Sequence, residues 1–386
     1  MSTSLQTPSQ RLLHLDALRG IAVLLVVVQH TVEHFAMWRV EKTDFAYPLY
    51  DLIHSVDTGR MGVVIFFAIS GFVIPLSLRG SGWSGFKGFA IKRFFRLFPA
   101  YWLSIPFGVL TTWWFYDKHI PLQDVVLNLS MLPQLVGYQA VIGLYWTLEL
   151  ELIFYFLLGC LFLAGLHNRI LVIAFFCMGL ALFRLYVTEP ELAQIIKVEI
   201  NRAAMILEYA QYLAVMFFGA LSGFCFRENV SGAELKSIRF WFPAMLIVVA
   251  WLLLMVRPFN VFIMGLEQEN LELIRYGLPV VLAVLLFILW ISILKLRTVW
   301  LVWLGVISYS LYLFHPVAIY MVDKFVCQPD LDTNVCQSSF ELGLTGYIVC
   351  SFSLALTMAY MVYRWIEMPA ISAGKRIYRQ VLDQRR

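Results

Sequence analysis

A chain of 386 residues has room for two or three soluble domains, yet 61% of it is hydrophobic and only 14% charged, far below the roughly 25% charged of soluble proteins. That balance excludes a water-soluble fold, a disordered chain and a disulfide scaffold, and a formal net charge of +4 gives no reason to expect nucleic-acid binding. It fits an all-α integral membrane protein.

Apolar stretches of about 17 to 25 residues predict about ten transmembrane helices: 18–38, 61–78, 97–116, 148–166, 169–187, 208–226, 240–256, 277–294, 299–321 and 344–363. The first has no small-residue cleavage site and carries His30 inside it, so it reads as a retained helix, not a signal peptide. The segment 121–137 is too short and mixed to span and reads as interfacial or re-entrant. On one side of the ten spans lie nineteen Lys and Arg, on the other nine, and Arg184 falls within a span. The positive-inside rule then makes the richer side, with both termini, cytoplasmic. The chain reads as one domain over about 11–370 with a basic amphipathic cytoplasmic tail over 371–386. Cys327 and Cys336, in a loop expected to face outward, are a disulfide candidate; the other four cysteines read as small buried hydrophobes, and no metal site is legible.

Ionisable side chains inside spans cost at least about 2.5 kcal/mol each on insertion scales, so they mark where to look for chemistry. Arg19 and His30 are eleven positions apart, within about 20° of three full helical turns, so they share a face about 16 Å apart along the axis. Glu33 and His34 follow on the same face, nearer the outside. An imidazole at that depth can move a proton near neutral pH, or be satisfied by neighbouring helices. Lys92, Arg93 and Arg96 surround the entrance to the third span, where they can hold phosphates or snorkel to anionic headgroups. Trp146 and Glu151 lie at the outer mouth of the fourth span, with Glu151 the deeper carboxylate and Glu149 solvated at the rim. Tyr309, His315 and Pro316 cluster in the ninth span, where the proline frees a carbonyl that must be satisfied inside the protein. Ser70-Gly71 in the second span reads first as a close-packing notch.

Together these residues resemble membrane-bound acyltransferase family 3, which includes O-antigen and exopolysaccharide O-acetyltransferases and macrolide acyltransferases. Leu15 through His30 is similar to its Arg-x10-His opening, Phe66–Phe72 to its FFxxSGF element, Arg93–Trp102 to RFFRLxPxYW, Trp146–Tyr155 to WSLSVExxFY, and Ile307–Pro316 to SYSLYLxH. The match runs in order from about residue 11 to 370. Lys92 stands where many members have arginine, and Leu152 and Ile153 replace the usual Glu-Gln, leaving Glu151 alone to carry over there.

The resemblance implies a multi-pass enzyme of a bacterial inner membrane that takes an acyl group, usually acetyl, from cytoplasmic acetyl-CoA or another acyl-CoA, with no metal, and places it on a hydroxyl. A carbohydrate or lipid-linked glycan at the envelope is the expected acceptor, and a macrolide-like small molecule an alternative. It implies His30 as catalytic base or acyl carrier, Arg19 as its partner, Glu151 as a further catalytic residue, and Arg93 and Arg96, with Lys92 beside them, as CoA-phosphate contacts. Ser70, Trp146, Tyr309, His315 and Glu33 are candidates for oxyanion or substrate contacts. A transporter or flippase for a lipid-linked saccharide is the rival class, since intramembrane charges and a broken helix also suit a substrate path. Membrane lipids are the remaining expected partners, and association of copies is left open.

Overall fold

Hydrocarbon offers no hydrogen-bond partners, so each spanning segment must satisfy its own backbone, and helices follow. The computed structural model describes residues 12–37, 46–230, 238–326, 328–330, 335–337 and 343–383. Helices run through all ten expected stretches. They are α1 (Leu13–Met37), α2 (Ala46–Val56), α3 (Thr58–Ser77), α4 (Gly82–Tyr116), the short α5 (Leu122–Asn128), α6 (Trp146–Leu163), α7 (Ile170–Tyr186), α8 (Glu189–Ile196), α9 (Ile200–Val230), α10 (Ile238–Glu267), α11 (Leu271–Leu289), α12 (Val299–Val326), α13 (Leu344–Val362) and α14 (Met368–Asp383). Strands β1 (Gln328–Asp330) and β2 (Val335–Gln337) pair antiparallel, with Pro329 opposite Cys336. Cys327 and the Cys336 side chain lie outside the described residues; of the other four cysteines, none in a disulfide, Cys177 is buried as expected whereas Cys160 and Cys350 are exposed.

By length and apolarity, eight helices among the described residues can cross a membrane, or nine if α7 and α8, bent by 103°, form one broken span. The difference from ten has a chemical cause. The apolar half of α4 holds Pro99, Pro106 and the indole and phenol rings of Tyr101, Trp102, Trp113 and Trp114, which lower its hydropathy.

Burial separates two layers. In α9 and α12, 78% of the most apolar stretch is buried inside the protein, against 28% in α10, so α1, α3, α9 and α12 form the inner set and α10 faces outward. The inner helices approach backbone to backbone. A Cβ on Gly305 of α12 would lie 1.8 Å from the carbonyl oxygen of Asp16 in α1, and one on Gly20 would lie 2.2 Å from that of Leu301, so only glycine fits this crossing. Gly71 closes on the Met216 carbonyl of α9 in the same way, as its notch-like sequence suggests. Since Gly20 meets Gly305, and His30 and His315 each lie ten residues further on, α1 and α12 run parallel and bring the two histidines together about 15 Å along.

At the far end of α13, residues Tyr363–Glu367 form a π turn leading into α14. Glu367 is turned fully inward there, pairing with Arg96 of α4 and accepting a hydrogen bond from Ser310 Oγ of α12 at 2.7 Å. The basic tail α14 lies along α4, with Lys92 Nζ 3.8 Å from the centre of the Tyr378 ring.

Candidate active site

Pro316 has no N–H, so the carbonyl of Tyr312, one turn back in α12, loses its helical partner. His315 supplies a replacement, its Nδ1 lying 2.8 Å from the Tyr312 oxygen and 3.3 Å from that of Leu311. A carbonyl only accepts, so Nδ1 of His315 carries the proton and its Nε2 bears a lone pair. That nitrogen lies 2.8 Å from Nδ1 of His30. The two rings are 6° from coplanar with centroids 5.1 Å apart, the spacing of an in-plane hydrogen bond and too wide for a stack. His30 therefore donates from Nδ1, which leaves its Nε2 unprotonated and free to act as base or nucleophile.

His30 lines a cavity of about 350 Å³ at one end of the inner helices. Its wall carries Trp146, Tyr212 and Tyr320, and five charged side chains that largely neutralise each other. Arg60 pairs with Asp57 at 3.2 Å and Glu208 at 3.5 Å, and Arg275 with Glu33 at 3.2 Å. Glu33 also accepts from Gln29 Nε2 at 2.6 Å. The result is a polar, aromatic, nearly neutral chamber.

A second, smaller cavity of about 60 Å³ lies beneath it, lined by Arg19, Ser70, Glu151 and Tyr309 among others. Val63 and Tyr312 line both, so they form the partition. Tyr312 is held there by its hydroxyl, 2.9 Å from Thr147 Oγ1. Glu151 accepts from Tyr155 OH at 2.5 Å and from Ser70 Oγ at 3.4 Å. Arg19 has its Nε buried without a hydrogen-bond partner, leaving a guanidinium at the wall of this cavity with no carboxylate bonded to it.

The structure thus brings Arg19, Glu151, Ser70 and Tyr309 together in one chamber and His30, Glu33 and Trp146 in the other, with His315 behind His30. His315 is wholly buried and lines neither, so its direct partner is His30. Glu149, expected to be solvated at the rim, is fully buried and accepts from the Gln134 backbone N–H at 3.2 Å, because the turn after α5 folds over it. Lys92, Arg93 and Arg96 line neither cavity. Arg96 is bound by Glu367, whereas Arg93 donates to Ser77 Oγ at 2.8 Å and lies 5.3 Å from the centre of the Tyr155 ring. Partial burial, with Arg79, Arg93 and Lys375 close by, pushes the Lys92 ammonium down from its ordinary range. Among the described residues no group of three or more His, Cys, Asp and Glu side chains is placed to hold a metal ion.

Residues 12–364 match the family model for the acyltransferase domain of acyltransferase family 3. The chain belongs to that family. It carries that family's acyltransferase domain, and its apolar helices are long enough to cross a membrane several times. It is also 30% identical over 103 residues to Protein 2 in picA locus of Rhizobium radiobacter, a match covering 26% of this chain and 45% of that protein. The chain thus aligns with less than half of that relative's length. No solved structure matches.

Sequence reasoning passed over Tyr312 as the partition and Arg60, Glu208 and Arg275 as cavity walls. Arg60 and Arg275 fall outside the apolar stretches, where a count along the chain registers them only as loop charges. The one usable signal was the freed carbonyl ahead of Pro316, which had no assigned partner.

Proposed function

We propose that this acyltransferase moves a short acyl group, acetyl in the simplest case, from acyl-CoA on the Arg19 side to a hydroxyl of a carbohydrate or glycoconjugate on the His30 side. His30 Nε2 is the carrier. In a bacterial inner membrane with both termini cytoplasmic, the Arg19 side is the cytoplasmic one. The observation that carries this reading is the chain of bonds from the Tyr312 carbonyl through His315 to His30, which fixes one reactive nitrogen at the wall of the larger chamber.

For the first half-reaction the thioester has to pass the Val63–Tyr312 partition to reach His30; Nε2 then attacks the thioester carbonyl carbon, the carbon–sulfur bond breaks and CoA leaves as a thiolate that takes a proton from cytoplasmic water. The Nδ1 proton passes to His315 Nε2, so the acylimidazole on His30 is neutral. In the second, the acceptor hydroxyl loses its proton to the solvent of the larger chamber as its oxygen attacks the acyl carbon, the carbon–nitrogen bond breaks, and His315 returns its proton to Nδ1. Direct base catalysis would place the same proton on the His30–His315 pair, so the two routes differ in whether CoA is released before the acceptor arrives.

Two features support the donor side. The Arg19 guanidinium at the smaller chamber suits a phosphate or pantetheine carbonyl. Among the described residues Arg79, Lys92 and Arg93 have no carboxylate partner, which suits the phosphates of CoA, whereas Arg96 is tied to Glu367 and braces α4. Glu151 offsets the charge of Arg19 across the chamber. The neutral, aromatic lining of the larger chamber supports a sugar acceptor. His30→Ala tests the reading: the variant inserts and purifies as the parent does, and releases no CoA thiol from acetyl-CoA. Acyl transfer retained in that variant removes His30 from the mechanism.

A further inference from the structure

His34 lies one helical turn beyond His30 on α1, its Cβ roughly 5–6 Å away, and lines the same chamber. Its Nδ1 is 3.2 Å from Oδ2 of Asp323 in α12. Asp323 is almost wholly buried, and its other oxygen accepts a hydrogen bond from the hydroxyl of Tyr347 in α13. A carboxylate fixed at both oxygens holds Nδ1–H of His34, so the unprotonated Nε2 is the nitrogen left for the chamber. The ring packs edge-on to Tyr320, with centroids 5.2 Å apart.

The two histidines thus have opposite partners. His30 faces a neutral imidazole, which suits a nitrogen that becomes acylated and stays uncharged. His34 faces a buried carboxylate, which suits a nitrogen that becomes protonated and must hold a positive charge. We propose that His34 is the general base of the acceptor half-reaction, with Asp323 its positioning residue and Tyr347 orienting the carboxylate. The acceptor hydroxyl gives its proton to His34 Nε2 as its oxygen attacks the acyl carbon on His30. The carbon–nitrogen bond breaks, and the His34 imidazolium later releases the proton to the solvent of the chamber. This assignment rests on the carrier reading of His30.

Stopped-flow measurement of CoA thiol from acetyl-CoA tests it on the full chain, first with water as the only acceptor and then with added hydroxylamine, which attacks without first losing a proton. His34→Gln and Asp323→Asn keep the shape of the cluster. Both are expected to release the first equivalent of CoA at the parental rate and then to turn over about 10²- to 10⁴-fold more slowly. Hydroxylamine is expected to restore their turnover to the parental level. Tyr347→Phe, which leaves the His34–Asp323 pair in place, should show the same pattern more weakly. Parental turnover in His34→Gln, a slowed first equivalent, or failure of hydroxylamine to rescue would each overturn the role given to His34 and leave His30 as carrier. A parent enzyme that shows no stoichiometric first release would remove both assignments.

Discussion

Gly305→Ala tests how the fold positions the chemistry, because the residue lies about 15 Å from His315 and lines neither chamber. The added methyl would meet the Asp16 carbonyl oxygen at 1.8 Å, and real Cβ contacts essentially never fall under 3.0 Å, so the helices must part by about 1.2 Å. If that displacement carries along α1 and α12, the 2.8 Å bond between His30 and His315 opens to about 4 Å, beyond hydrogen-bond reach. His30 then loses the contact that selects its tautomer, an interaction worth up to about 10⁴ in rate where it has been removed elsewhere. We expect CoA release to fall by about 10²-fold or more, with stability lowered by about 1–3 kcal/mol from overpacking. The assay is thiol release by detergent-purified protein beside its melting temperature. Gly179→Ala in α7 is the control: nothing lies within 4 Å of the new methyl, so activity should hold and stability rise by up to about 1 kcal/mol. A Gly305→Ala protein that turns over at the parental rate would refute the argument that this crossing sets the histidine pair.

Three further outcomes follow from the same geometry. Pro316→Ala restores an N–H that competes for the Tyr312 carbonyl; the oxygen has a second lone pair, so the His315 bond weakens by only about 1 kcal/mol, turnover falls about fivefold and thermal stability rises. Arg19→Ala should raise the KM for acetyl-CoA about 10- to 100-fold, the loss of a charged hydrogen bond, while Arg19→Lys recovers part of it in steady-state kinetics. Glu367→Ala leaves Arg96 and Ser310 without their buried partner and should cost about 3 kcal/mol of stability, read as a lowered melting temperature.

The membrane class and the helix positions were legible in the sequence because they depend on local composition, which periodicity and length report directly. The ordered motifs likewise brought Arg19, His30, Glu151 and His315 into view. Their grouping was not legible. His30 and His315 are 285 positions apart, and no periodicity on α1 reports that Gly20 and Gly305 let its backbone touch α12. The shared face of Arg19 and His30 does not report that the Tyr312 side chain divides the space along it into two chambers. Charges near helix ends, such as Arg275 and Asp323, carry no signal in the sequence, because a count along the chain does not show which ends fold over the chamber. The Lys92–Arg96 junction shows the converse: three adjacent cations read as one cluster, yet Arg96 is claimed by Glu367 from a π turn that the sequence does not announce.

The central claim is that His30 carries the acyl group, and peptide mass spectrometry tests it most directly. Protein is incubated with isotopically labelled acetyl-CoA in the absence of acceptor, quenched within the first turnover and digested. The account predicts one labelled acetyl group on the peptide that contains His30, its loss on adding hydroxylamine, and its absence when His30 is replaced by alanine. An unlabelled His30 peptide, from protein that passes the acetyl group to an acceptor under the same conditions, would contradict it.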